Sequence, residues 1–445
     1  MLVPQFLFVP SAASSVPSAS MDFMLSASAN TAETGTHALV SFAWIMAAAL
    51  AAPILSWATR KHIPAVVFLL VLGVIIGPHV LGLARNDSSI DMLKELGLGL
   101  LFLLAGFEID LDTMKDKAGK SALITWVVCM VFSFFGALLV VGADDTSAAI
   151  VLAIALTSTA LGTLMPILKQ QGWLATPIGR RVMIHGAIGE LAPIMAMALL
   201  LSTRSTFLTA IVLALFFLIA LFVAFLPRTV RFFAPWVRRA MIDGASATNQ
   251  TVVRAVLLML AILMSAAAVF QLDVVLGAFA AGIILKQLVP ENLRSALEER
   301  LDVLGYGLLI PVFFVVSGMG IDIGAVAQAP FAPIILVAVI LLTRGVPIMI
   351  QELFFAKDTQ LETWQDKVQV GFYSATGLPI IVAVTEVATH SHIISAQYGS
   401  LLVAAGAATV LVFPLLAAAV GRAAVHKKPS REKQRADKHE QEKSM

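Results

Sequence analysis

The chain has 445 residues, of which 59% are apolar and only 13% charged, about half the charged share of an ordinary soluble domain. That balance excludes a water-soluble globular protein. A formal net charge of +2, with basic residues confined to short loops and one tail, argues against nucleic acid as a partner. The single cysteine, Cys129, permits neither an internal disulfide nor a thiolate metal cluster.

A membrane-crossing helix needs about 20 mainly apolar residues. Windows of that length predict an all-α polytopic membrane protein with about thirteen transmembrane helices, near 39–58, 63–83, 93–109, 121–142, 147–168, 178–202, 206–226, 251–270, 273–289, 304–321, 331–354, 366–388 and 397–420. Residues 1–36 contain no Lys or Arg and lack the basic start of a secretory signal. They are expected to form a disordered external leader, with Met21 an alternative start. The transmembrane domain then covers 37–425, and 426–445 is a charged, solvated cytoplasmic tail. The stretches around Gly77-Pro78 and Pro311 read as kinked or re-entrant, which leaves a count of twelve open. Charge favours thirteen, because nearly all Lys and Arg fall in alternate loops. Only Arg85, Lys94 and Arg204 lie on the other side, with Arg344 inside a helix. The positive-inside bias places the N-terminus outside and the C-terminus in the cytoplasm of a bacterial inner membrane.

Two segments share a pattern. Leu96–Asp110 reads LGLGLL, then four residues, then GFEID; residues 304–322 read LGYGLL, then eight residues, then GMGID. These fall in the third and tenth predicted helices. Helices seven apart cross in opposite directions, so the pattern predicts two inverted six-helix repeats, a plan used by secondary transporters. The fifth and twelfth helices then correspond. Each carries hydroxyl and small residues mid-span: Thr157, Ser158, Thr159 and Gly162 in one, Ser374, Thr376, Gly377 and Pro379 in the other. Gly and Pro weaken a helix, and hydroxyls can satisfy the freed backbone groups or bind a cation. Both are read as discontinuous helices, against the alternative of close packing through small residues.

An ionisable group at mid-bilayer costs at least about 2.5 kcal/mol, so Glu190 in the sixth helix and Arg344 in the eleventh need a reason. A desolvated carboxyl can exchange protons near neutral pH and, once ionised, is a hard oxygen ligand for a small cation. Arg keeps its proton and suits a fixed counter-charge. A purely structural Glu190–Arg344 salt bridge is the alternative. His185, five residues before Glu190, lies about 140° round the helix and is read as a packing residue. Glu108, Asp110, Asp322, Glu352 and Glu386 fall near helix ends.

On these residues the chain resembles the monovalent cation:proton antiporter superfamily, in its bacterial branch of potassium-efflux and sodium/proton exchangers. The resemblance runs over about 39–420 and is carried by Gly73–Gly82 (GVIIGPHVLG), Leu96–Asp110, Leu276–Leu285 (LGAFAAGIIL), Pro311–Asp322 (PVFFVVSGMGID) and Tyr373–Glu386. It implies a homodimer with an interface part (about 37–110 and 251–322), a linker helix (206–226), and a core part (about 121–202 and 331–420). The core would move like an elevator, its two broken helices crossing beside the ion site. Members place an acid in the sixth helix, often preceded by Asp, Asn or Gln, and Lys or Arg in the eleventh. Glu190 and Arg344 match; Gly189, before Glu190, departs.

The expectation is therefore an antiporter, not an enzyme, without cofactor, that exchanges sodium or potassium for protons. Glu190, Thr157, Ser158, Thr159, Ser374 and Thr376 would bind the ion and proton, with Arg344 as counter-charge. A missing second acid beside Glu190 suggests one proton per cation, hence electroneutral exchange. A channel-like potassium leak and a non-transporting sensor are the alternatives.

Overall fold

The computed structural model describes residues 18–59, 63–109, 116–142, 145–170, 172–174, 176–200, 215, 216, 218, 250–270, 272–356 and 361–427. All elements among them are helical. In chain order they are α1 (Ser18–Ala58), α2 (Ala65–Ile76), α3 (Ser88–Glu108), α4 (Lys117–Val141), α5 (Thr146–Leu156), α6 (Leu161–Gln170), α7 (Pro177–Leu200), α8 (Thr251–Val269) and α9 (Val274–Leu288). There follow α10 (Glu291–Leu304), α11 (Ile310–Met319), α12 (Ile323–Gln328), α13 (Ala332–Ile340), α14 (Val346–Ile350), α15 (Trp364–Ser374), α16 (Leu378–His390) and α17 (Ala396–Lys427). Three π turns, Gly305–Leu309, Leu341–Gly345 and Gln351–Phe355, join or extend α10, α11, α13 and α14.

Among the described residues nine helical stretches are long and apolar enough to cross a membrane, and Ala65–Ile76 and Val274–Leu288 are shorter apolar helices. Apart from residues 215, 216 and 218, the expected linker helix 206–226 lies outside the described residues, as does most of the tail. α1 begins at Ser18, within the segment read as a leader. Side chains along α1 and α4 such as Leu39, Trp57, Ile124, Phe132, Phe135 and Leu139 are exposed, as apolar faces turned to lipid must be. The chain is a multi-pass membrane protein.

Two expected breaks take another form. The helix before Gly77-Pro78 ends at Ile76 rather than continuing to 83, and residues 77–81 form a turn in which Gly82 N–H bonds back to the Gly77 carbonyl at 2.8 Å. Pro311 does not interrupt its span: the helical path is continuous over Glu291–Met319. The π turn at Gly305–Leu309 ends two residues before Pro311, and its extra residue widens the turn where the proline lacks a backbone donor.

The closest helix pairings fall in two sets, α1, α2, α3, α8, α9 and α11 in one, and α4, α5, α7, α13, α15, α16 and α17 in the other. Reciprocal glycines make the first set tight. A Cβ on Gly73 would strike the Val315 carbonyl and one on Gly318 the Leu70 carbonyl, across α2 and α11. Gly106 and Gly282 do the same across α3 and α9. The two copies of the LGxGLL pattern also touch, with Gly97 against the Leu309 carbonyl and Gly305 against Leu100 and Leu104.

Candidate ion and proton site

In the second set, two helices stop in mid-span. α5 ends at Leu156 and α6 starts at Leu161; α15 ends at Ser374 and α16 starts at Leu378. Each break frees backbone groups that lipid cannot satisfy, and the breaks satisfy one another. Ala160 N–H donates to the Thr376 carbonyl at 2.7 Å, and the Ser158 hydroxyl to the Gly377 carbonyl at 3.2 Å. The Thr159 hydroxyl donates to the Ser374 carbonyl. Gly377 is required by this crossing, because a Cβ there would crowd Ser158 Oγ.

Glu190 on α7 is 2% exposed, and its Oε2 has no hydrogen-bond partner. Its carboxyl meets the backbone N–H of Leu161, so the positive end of α6 faces it. Among the charged groups that act on it is Glu108, at the end of α3 in the other helix set. The residue before it is pinned to the break: Thr159 N–H donates to the Gly189 carbonyl at 2.8 Å.

Arg344, fully buried in the π turn Leu341–Gly345, forms no ion pair with Glu190. Its Nη2 donates to the Thr159 hydroxyl and to the His185 carbonyl, each at 3.0 Å. The direct salt bridge considered from sequence is therefore absent, and the guanidinium instead ties the first break to α7. Nε and Nη1 of Arg344 and the hydroxyls of Ser374 and Thr376 have no partner. Unfilled buried donors and acceptors are costly, and here they gather around one crossing.

The proposed hydroxyls divide by contact. Thr157 turns back onto α5, donating to the Ala153 carbonyl at 2.8 Å, and Ser158 also bonds the Ala155 carbonyl at 2.7 Å. Ser158 and Thr159 stitch the breaks together, which leaves Ser374 and Thr376 as the hydroxyls with free capacity.

A buried cluster that sequence reasoning passed over lies along the same helices. Glu352, placed near a helix end by sequence, is fully buried and accepts from both Arg181 and His185. Its one sequence signal was its spacing: eight residues after Arg344 on the same span, it lies a little over two turns on, about 80° round the helix and within one broad stripe.

Two cavities flank the seam between the helix sets. One, of about 410 Å³, is lined by Asp91, Glu95, Asp273, Glu386 and His390. The other, of about 400 Å³, is lined by Trp57, Gly162, Thr163, Tyr306 and Phe314. Neither is lined by Glu190. Beside the first, Lys94 of α3 pairs with Glu386 of α16, and beside the second the Tyr306 hydroxyl donates to the Gly162 carbonyl at 3.2 Å.

A family model described as the transmembrane part of sodium/hydrogen exchangers matches residues 45–421. The chain belongs to the sodium/hydrogen exchanger family. Among its relatives, YjbQ of Bacillus subtilis is 27% identical over 389 residues, 82% of this chain and 60% of that protein. The chain thus spans less than two thirds of that relative. A Na+/H+ antiporter of Enterococcus hirae is 26% identical over 363 residues, 80% of this chain and 91% of that one. The solved structure of the sodium proton antiporter MjNhaP1 from Methanocaldococcus jannaschii superposes with a TM-score of 0.59 at 16% identity, covering 87% of this chain and 98% of that one. The fold is shared.

Proposed function

We propose that the chain exchanges a monovalent cation, sodium or potassium, for protons across the membrane, with Glu190 binding each in turn. The observation that carries this reading is the unpartnered carboxylate oxygen of buried Glu190 beside a crossing of two broken helices. A proton neutralises the carboxyl; a dehydrated cation does so by coordination. Because one group cannot hold both, the two are exchanged. Ser374 and Thr376 supply free oxygens to the cation, and the chain-end carbonyls of α5 and α15 add negative dipole ends. Arg344 offsets those dipoles and holds Thr159 against α7.

Alternating access follows from the seam. The set bearing the breaks forms the core part and slides against the other set, which forms the interface part of a homodimer. The N-terminus lies outside and the C-terminus in the cytoplasm. Gly189 brings no second carboxyl and Arg344 does not titrate, so exchange is one for one and electroneutral. Family membership and the sodium-linked relatives support the reaction class, while no feature of the site reads ion size.

Proteoliposomes holding a pH-sensitive dye test this. With an imposed proton gradient, added sodium or potassium should collapse it, and E190Q should abolish the response. Retained cation-driven proton movement in E190Q would remove Glu190 from the mechanism. A dependence of wild-type rate on membrane potential would overturn electroneutrality and turn attention to Glu108 as a second carrier.

A further inference from the structure

His185 and Glu352 make a buried titratable pair that the exchange step at Glu190 leaves unused. His185 is 1% exposed and Glu352 not at all. The imidazole Nε2 lies 2.8 Å from Glu352 Oε1, and Arg181 Nε lies 3.0 Å from each Glu352 oxygen. A carboxylate held by an arginine accepts, so Nε2 carries the hydrogen and the neutral ring keeps its lone pair on Nδ1. That Nδ1 is buried and has no partner.

The same residue reaches the ion site through its backbone. Its carbonyl accepts from Arg344 Nη2, which also donates to Thr159 Oγ1, and Thr159 N–H holds the carbonyl of Gly189 beside Glu190. The charged groups that act on the ring are Glu352 and Arg344 from the span Ala332–Phe355 and Arg181 from α7. Cys129 of α4 faces the Arg344 carbonyl, at 3.9 Å. With a neutral ring these groups sum to one positive charge; a proton on Nδ1 makes it two. Added positive charge so close to Arg344 opposes a cation at Glu190.

We propose that His185 is a second proton-binding site, on the side of the membrane that the charge pattern assigns to the cytoplasm, whose proton is not transported but weakens cation binding at Glu190. This rests on the exchange reading above. By linkage, a proton that lowers cation affinity is itself bound less tightly when the cation is present. Competition at Glu190 alone raises the apparent cation KM by at most about tenfold per pH unit of acidification; a second opposing proton raises that limit to about a hundredfold.

Two measurements on the full chain test it. In proteoliposomes, the apparent KM for sodium and for potassium is followed from pH 5.5 to 9 in wild type, H185Q and E352Q. Log KM should fall by more than one per unit rise in pH in wild type and by no more than one in H185Q, and the steep segment should move to lower pH in E352Q, where the imidazolium loses its carboxylate. A slope unchanged in both variants overturns the proposal. If H185Q does not fold, H185N takes its place. Independently of transport, histidine-selective carbon-13 labelling should show an imidazole signal, absent in H185Q, that titrates between pH 5 and 9 and shifts on adding sodium or potassium. A flat signal overturns the proposal whatever the flux. A titrating signal in protein that moves no ions would instead sink the exchange reading.

Discussion

Gly189 shows how one hydrogen atom can decide a site. A Cβ at that position would overlap Arg344 Nη2 and Thr159 Oγ1, so glycine there admits the guanidinium. G189A should cost about 1–3 kcal/mol of stability through overpacking and lower exchange at least tenfold. Thermal unfolding in detergent and proteoliposome flux read the two effects; wild-type flux in G189A would show that the Arg344–Thr159 contact is dispensable. Glu352 makes a separate case. Removing one partner of a buried ion pair costs about 3–5 kcal/mol, so E352A should be severely destabilised. The double variant R181A/E352A should lose less than the two single losses combined, because the orphaned guanidinium is gone. Additive losses would mean that the pair is not coupled.

At the scale of elements, hydroxyls and glycines do what the apolar pattern cannot. The breaks at residues 157–160 and 375–377 persist in lipid because each supplies partners to the other. They were legible in sequence, since runs of Thr, Ser, Gly and Pro recur mid-span in both the fifth and the twelfth helix, a pairing that close packing through small residues does not require. The π turn that carries Arg344 was not legible, because its residues differ little from those of a regular helix and the extra residue per turn is set by what the helix packs against. In the first helix set the reciprocal glycines bring backbones together. G282L would drive a side chain into the Leu103 carbonyl and should abolish monodisperse protein on size exclusion, whereas the same change at Gly307, where nothing lies within 4 Å of a Cβ, should be tolerated.

For the whole molecule, the seam between the helix sets is where movement would occur. Lys94 and Glu386 bridge it directly, beside the cavity of about 410 Å³, so any sliding of one set past the other must part them. In a Cys129→Ala background, K94C/E386C joined by a short thiol-specific cross-linker should stop exchange, and reduction of a cleavable linker should restore it. Full exchange in the cross-linked protein would show that the sets do not slide at this point.

The sequence by itself determined that this is a multi-span helical membrane protein, that two helices break in mid-span, and that Glu190 is the buried acid to explain. Composition, period and the cost of a charge in lipid act locally, and each is written along the chain. Only the tertiary structure decided that Arg344 serves Thr159 and the His185 carbonyl rather than Glu190, that Thr157 is occupied with its own helix, and that Glu352 closes a buried cluster with His185 and Arg181. Those outcomes depend on which helix faces which. That facing is set by backbone approach at glycines and by the demand that backbone groups freed at the breaks find partners, here across chain separations of more than 150 residues.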